Sequence, residues 1–418
     1  MGSTLFNDVK SEILRRGKSQ KSLLFGLDPV QRRKNGDFAE GYGRRPKPYS
    51  TFSERDEYMY IEKLILKDYR NIEELTLLPH KKTSVLFGSN AQGKTNILES
   101  VFYCATGRSH RTGNDKELVR FGADIAYIRI FVRDDYNRSD RIDISIKSNG
   151  KKGIGINGIA VRRIGELLGT FNVVIFCPEN LQLIKAGPGE RRRFIDMELC
   201  QIDKIYYHNL KQYYKVLKQR NNLLKTIKKP EGTLDIWDMQ LAEYGSELIR
   251  RRSAFISDIS AIAADIHGKI TDNAEVLRVE YKPNVQPDQF YAKLEQNREK
   301  DIYYGNTSVG VHKDDAAFFI NDINAREFGS QGQQRTACLA VKMAEIELIK
   351  REKNHYPVLL LDDVLSELDK KRQTYLINNI ADVQTIVTST GIDENIKNIC
   401  SDGKVFYVEN GSISKFEE

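Results

Sequence analysis

Between Phe87 and Leu98 the chain reads FGSNAQGKTNIL, and Gly88, Ser89, Asn90, Ala91, Gln92, Gly93, Lys94 and Thr95 spell G-x-x-x-x-G-K-T, the loop that cradles the phosphates of ATP. Such a loop constrains the fold strongly, because a strand must enter it and a helix must leave it. Both patterns are present: residues 84–87 are an apolar, β-rich run, and residues 96–103 follow with an amphipathic helical pattern. Gly88 and Gly93 let the backbone turn its N–H groups towards the phosphates, while the new helix aims its partial positive end at them. Lys94 is expected to reach the β- and γ-phosphates and Thr95 to ligate Mg²⁺. The competing reading, a glycine turn that binds nothing, is disfavoured by the complete motif in its strand-to-helix context.

At 418 residues the chain exceeds the size at which one core stops growing. One large domain with a subsidiary lobe, or two domains, is therefore expected. The net charge of +7 permits nucleic-acid contact without demanding it, and more than half of the excess sits in residues 1–58. Cys104, Cys177, Cys200, Cys338 and Cys400 are far apart and without C-x-x-C spacing, which argues against a zinc site or a disulfide framework. No apolar run approaches the roughly eighteen residues needed to span a bilayer, and no signal-peptide pattern opens the chain. A cytoplasmic protein with no membrane association is expected.

Residues 1–58 are basic and dotted with glycine, and read as a flexible N-terminal extension. From Met59 the pattern changes, with strands expected at residues 60–66 and 72–77. A meander follows over residues 125–132, 141–147 and 153–161, and a buried strand over 171–176. Helical spacing then runs from 190 to 228, breaks at Pro230 and Gly232, and resumes from 234 to 270, which predicts a helical hairpin. Residues 283–297 read as a polar connector. The resulting division is 59–175 for the first part of the ATPase lobe with the glycine loop, 176–300 for a helical lobe and 301–418 for the rest of the ATPase lobe.

A glycine-loop ATPase also needs a carboxylate at the end of a second strand, and residues 357–363, PVLLLDD, supply one after four consecutive apolar positions. In this Walker B strand Asp362 is expected to hold Mg²⁺, and Asp363 to orient or deprotonate the attacking water as the catalytic carboxylate alongside Lys94. Upstream, Ser330-Gln331-Gly332-Gln333-Gln334 opens a helical pattern, and a serine-led helix start is a second phosphate-binding end. One nucleotide cannot use both ends inside one monomer if the glycine loop already surrounds its phosphates. An ATP-dependent homodimer in which each subunit closes the other's site solves this.

The set S-x-G-Q, Walker B and then Ser366-Glu367-Leu368-Asp369 is the arrangement of ATP-binding-cassette proteins. The chain resembles the RecF family of recombination mediators, cassette ATPases related to the heads of chromosome-maintenance proteins. The resemblance is carried by residues 67–71 (KDYRN), 88–99, 107–111 (GRSHR), 178–181 (PENL), 190–196, 310–315 (GVHKDD), 330–335 and 359–369, and covers nearly all but the first 58 residues. It implies an α/β fold, an ABC-type P-loop ATPase head with a mixed-sheet lobe I, a helical lobe II and no long coiled coil. It further implies that Ser330, Gly332 and Gln333 contact the γ-phosphate across a dimer and that Arg70 and Asn71 line the phosphates in cis. The Pro178-Glu179 corner takes the place of the loop that couples the lobes, with Gln182 the nearest glutamine.

Two departures from the wider cassette pattern stand out: the catalytic carboxylate is the shorter Asp363 instead of glutamate, and residues 384–390 end Thr388-Ser389-Thr390 without the usual histidine. A carboxylate drawn back by one methylene positions water less well, so turnover below ~1 s⁻¹ is expected. The resemblance implies DNA binding, double-stranded and gapped, with RecO/RecR-type mediators and the RecA recombinase as partners. Basic candidates for phosphate contact are Arg108, Arg111, Arg162, Arg163, Arg191 to Arg193 and residues 215–229, with Tyr206, Tyr207, Tyr213 and Tyr214 interleaved. Two alternatives remain open: a nucleotide-gated DNA scaffold without meaningful hydrolysis, and a cassette ATPase of the overcoming-lysogenisation-defect type, for whose nuclease domain no room follows the last strand.

Overall fold

In a computed structural model, residues 57–134, 136, 138–226, 234–391 and 402–415 are described. The basic extension, up to residue 56, lies outside the described residues, as do Pro230, Gly232, Cys400 and the end of the 215–229 basic run. The strands follow in order: β1 Glu57–Tyr69, β2 Ile72–Leu77, β3 Thr83–Phe87, β4 Ile125–Asp134, β5 Ser139–Lys147, β6 Lys152–Ile156, β7 Ile159–Val161, β8 Val173–Phe176, β9 Leu277–Lys282, β10 Asp315–Ile320, β11 Ile323–Asn324, β12 His355–Tyr356, β13 Val358–Asp362, β14 Thr385–Ser389, β15 Gly403–Glu409 and β16 Ser412–Lys415. Between them lie α1 Lys94–Thr106, α2 Pro188–Ile202, α3 Lys204–Leu224, α4 Asp235–Thr271, α5 Phe290–Gln296, α6 Arg298–Tyr304, α7 Gln331–Lys353 and α8 Lys370–Asn379.

A six-stranded sheet of order β16-β15-β3-β14-β13-β8 is parallel from β15 to β8. Its strands read as continuous apolar runs because both faces are covered. Alternation divides them: Leu86, Val173, Ile175, Val358, Leu360 and Ile386 join one core, whereas Val85, Val174, Phe176, Leu359, Leu361 and Val387 join the other. The first core is closed by the sheet β12-β1-β4-β5-β6-β7, antiparallel except that β12 runs parallel to β1, in which β2 also pairs with β1. The second is closed by α7, α4 and a small sheet β11-β10-β9. Both cores belong to one compact unit, Glu57–Glu418.

Three expectations change on folding. Helix α1 is not amphipathic in use, since Ile97 through Thr106 are all buried between the two large sheets. The helix expected over 190–228 is interrupted at Asp203, whose carboxylate accepts from the N–H groups of Ile205 and Tyr206 at 2.8 and 3.0 Å and so starts α3 afresh. The supposed polar connector 283–297 contains α5, which buries Phe290 and Leu294 completely against the long helices. Helices α3 and α4 pack side by side, as a hairpin requires. Among the described residues no helix is long and apolar enough to cross a membrane, and Cys104, Cys177, Cys200 and Cys338 are free thiols.

Candidate functional site

Strand β3 delivers the chain to Gly88, where φ is 152° and a Cβ would stand 2.3 Å from the Val408 carbonyl oxygen on β15. Only glycine fits there. Ala91 takes the left-handed region at φ 64°, and Gly93 at φ 111° opens α1. The Lys94 ammonium folds over this turn, donating to the Gly88 and Ser89 carbonyls at 2.5 and 2.8 Å. Burial lowers its pKa, with the Asp363 and Asp362 carboxylates opposing. The loop is also held from the C-terminal hairpin: Gly411 N–H donates to the Gln92 carbonyl at 2.9 Å and Asn410 N–H to Gln92 Oε1 at 2.6 Å.

Parallel pairing brings the second half of the site alongside. Strand β14 lies between β3 and β13, with Thr388 in register with Leu86 on one side and Asp362 on the other. Thr95 Oγ1 donates to Asp362 Oδ1 at 2.9 Å, and Thr388 Oγ1 donates to the same oxygen at 2.8 Å. Thr388 Oγ1 in turn accepts from the Asp363 N–H at 2.9 Å. Asp363 sits at φ 53°, in the left-handed region. Burial raises the pKa of Asp362, against which the Thr388 and Thr95 hydroxyls work. A hydroxyl and a carboxylate oxygen within hydrogen-bond reach are the hard donors Mg²⁺ takes when phosphate oxygens and water complete its shell. Among the described residues no three His, Cys, Asp or Glu side chains converge on a metal-sized site.

Three of the sequence blocks form one network beside α1. Arg70 donates from Nε and Nη2 to both oxygens of Glu99 at 2.8 and 2.7 Å and from Nη1 to the Glu117 carbonyl. Ser109 Oγ donates to Glu99 at 2.5 Å, Arg111 donates to Asn96 Oδ1 at 2.9 Å, and Asn96 donates to Asn71 Oδ1 at 2.8 Å. Burial alone would raise Glu99, but the bonds from Arg70 and Ser109 outweigh it and hold the carboxyl below its usual range. The guanidinium of Arg70, expected on the phosphates, is thus engaged by Glu99, whereas Asn71 lies directly against Gly93.

Ser330 caps α7, accepting from Gln333 N–H at 3.2 Å while Gln333 Oε1 accepts from Ser330 N–H at 2.9 Å. Gln333 also donates to Glu275 at 2.9 Å, and the Gly332 carbonyl accepts from Arg372. Among the described residues no hydrogen bond or ion pair joins residues 330–333 to 88–95. Arg335 pairs with Glu367 at 2.7 Å, which ties the start of α7 to the SELD segment. Beside the Pro178-Glu179 corner Cys338 Sγ reaches the Asn180 carbonyl at 3.3 Å, so the corner is fastened to α7.

The 310–315 block is a knot of helical-lobe packing. Asp314 accepts from Arg252 at 2.9 Å, from Asn284 N–H at 2.8 Å and from the Tyr281 hydroxyl. His312 lies between the Tyr213 hydroxyl and the Thr307 carbonyl at 2.7 and 3.0 Å. Part of the arginine run expected on a DNA surface is tied into this packing: Arg191, 2% exposed, pairs with Asp315 at 2.6 Å and Arg192 donates to the Asp314 carbonyl, whereas the exposed Arg193 donates to the His110 carbonyl. Tyr206 and Tyr213 are likewise core residues, fully buried. Sequence reasoning missed Thr388, Gln92 as the anchor of the hairpin, and the role of Glu99. The signal for Glu99 was a lone acid inside an otherwise apolar helix, which has to find a cation.

The family model described as RecF/RecN/SMC N terminal domain matches residues 60–414. The chain is 50% identical over 360 residues to the DNA replication and repair protein RecF of Lachnospira eligens, covering 85% of this chain and 99% of that one. With its counterpart in Lachnoclostridium phytofermentans it shares 48% over 361 residues, 85% of this chain and all of the other. Among solved structures, the recombination mediator protein RecF with ATP in the RecFOR pathway superposes with a TM-score of 0.81 at 34% identity, covering 88% of this chain and 100% of that one. A Smc head domain from Pyrococcus furiosus, 17% identical with a TM-score of 0.50 and covering 86% of this chain and 96% of that one, shares the fold. With a glycine loop, a Walker B strand and a serine-led helix set on a cassette-type head, the chain belongs to the RecF family.

Proposed function

We propose that this chain is an ATP-gated DNA-repair protein of the recombination-mediator type, in which two copies close over two nucleotides and hold DNA at a gap. The Thr95–Asp362 contact at 2.9 Å carries the reading, since it joins the two halves of a Mg²⁺·ATP site across the sheet. The residues of the glycine loop bind the triphosphate, and Lys94 exchanges its carbonyl partners for phosphate oxygens. Thr95 and Asp362 would hold Mg²⁺, which would supply neutralisation of charge on the transferring phosphoryl group. Asp363 orients the attacking water, and its short side chain keeps turnover slow. Ser330, Gly332 and Gln333 of each copy contact the nucleotide of the other, a reading supported by the serine-capped helix start that they form. Closure then presents the DNA to RecO/RecR-type partners and RecA, and hydrolysis reopens the dimer.

The elution mass with ATP, with ADP and with neither, in the presence of gapped duplex, tests this. A dimer is expected with ATP alone, and Lys94→Arg is expected to keep the fold and lose the nucleotide response; equal dimerisation in all three conditions would refute gating. In an ATPase assay with gapped DNA, the difference between the natural chain and Asp363→Asn separates a slow ATPase from a scaffold that does not hydrolyse.

A further inference from the structure

Helix α3 carries Lys204, His208, Lys211 and Lys215 at intervals of four, three and four residues, which places all four on one stripe. All four are exposed. The stripe spans about 16 Å at 1.5 Å per residue. It forms one wall of a cavity of about 510 Å³ whose other wall is the segment after β7, with Arg163 and Glu166. The two walls meet closely because residue 165 is glycine: a Cβ there would stand 2.7 Å from the Tyr207 ring.

Many arginines elsewhere have a carboxylate partner, as Arg70, Arg129, Arg191, Arg220, Arg252, Arg298 and Arg335 illustrate. Among the described residues Arg163, Lys204, Lys211 and Lys215 form no ion pair, and Glu166 is the one acid lining the cleft. Four uncompensated cations converging on a groove raise the local concentration of anions. Their linear spacing along a helix suits a chain of phosphates better than a single compact anion.

We infer that this cleft between α3 and the 163–166 segment is a seat for the phosphodiester backbone of DNA, contacted by Lys204, Lys211, Lys215 and Arg163 without base reading. The inference rests on the DNA-binding reading given under the proposed function and locates it on named residues. The helical lobe, whose helix α3 carries the stripe, would thereby grip DNA directly as the nucleotide-bound heads close.

The test measures binding of the full chain with ATP to a labelled gapped duplex across a salt series. The triple variant Lys204→Gln, Lys211→Gln, Lys215→Gln is expected to flatten the slope of log K against log salt by about 3 and to weaken binding at least tenfold. Glu166→Gln is expected to tighten binding a few-fold, since it removes the single repulsive charge. ATP-dependent elution mass is expected to be unchanged in both variants, which separates lost contacts from lost assembly. A triple variant with the natural slope, or a Glu166→Gln variant that binds no tighter, overturns the assignment. Retained DNA binding with loss of an acidic protein partner overturns it in favour of that partner. If the natural chain itself shows no salt-dependent DNA binding, the DNA reading fails as a whole; if it does and the triple variant matches it, only the location fails.

Discussion

Thr388 ties the two Walker B residues together, since one hydroxyl donates to the Asp362 carboxylate and accepts from the Asp363 backbone N–H. Thr388→Val preserves shape and removes both bonds, leaving the half-buried Asp363 N–H without this partner, a loss of about 1–3 kcal/mol in urea unfolding. Single-turnover hydrolysis is expected to fall at least about tenfold because Asp363 loses its orientation. ATP affinity should stay near that of the natural chain, and Thr388→Ser should restore the rate. His312 gives a pH prediction of definite sign. Burial pulls it down to about 4, below its ordinary value near ~6.5, so the unfolded chain takes up the proton first. The stability it contributes is fully present above about pH 6.5 and is lost as pH falls towards about 4. His110, also lowered to about 4 by burial, acts in the same direction. Urea midpoints over this window should decline less steeply in His312→Asn than in the natural chain; parallel curves would show that the imidazole is not the group responsible.

At the scale of elements, the start of α7 serves two purposes that can be separated. Ser330→Asp retains the cap, because aspartate and serine cap about equally well, so the melting temperature should stay within about 2 °C of the natural one. The same change sets a carboxylate where the partner copy's γ-phosphate is expected, and ATP-linked dimerisation should disappear. A dimer that persists would mean that this helix end does not face the nucleotide. The elements carrying the site were legible because their signals are local: a continuous apolar run marks β13, and the glycine loop marks the junction of β3 and α1. The break between α2 and α3 was not, since three-to-four apolar spacing runs straight through Asp203 and only the cap geometry reveals a new helix. Helix α5 was hidden for the opposite reason, having only Phe290 and Leu294 to bury in an otherwise polar stretch.

At the scale of the whole molecule, two buried charge knots hold the helical lobe. Arg220 binds Asp238 and Asp301 at 2.6 and 2.7 Å, and Arg252 binds Asp196 and Asp314 at 2.6 and 2.9 Å, with both guanidinium groups fully buried. Arg191 links that lobe to the segment just before α2, donating to the Ala186 carbonyl as well as to Asp315. In the proposed dimer, closure by nucleotide would add contacts that exist only between copies, and stability would become a matter of mass action. The thermal midpoint with ATP should therefore rise with protein concentration, whereas the midpoint with ADP should not. A concentration-independent midpoint in ATP would place the stabilisation within one chain and argue against a shared site.

Local order in the chain was enough to specify a glycine loop, a carboxylate-ended strand, a serine-capped helix and hence a cassette head, because each depends on backbone geometry set by a few neighbouring residues. Folding alone determined which distant groups meet. Whether an arginine faces solvent or a buried carboxylate is settled by partners far along the chain, which is why Arg70 closes on Glu99 and Arg191 on Asp315. The same long-range pairing, strand β14 between β3 and β13, puts Thr388 beside Asp362.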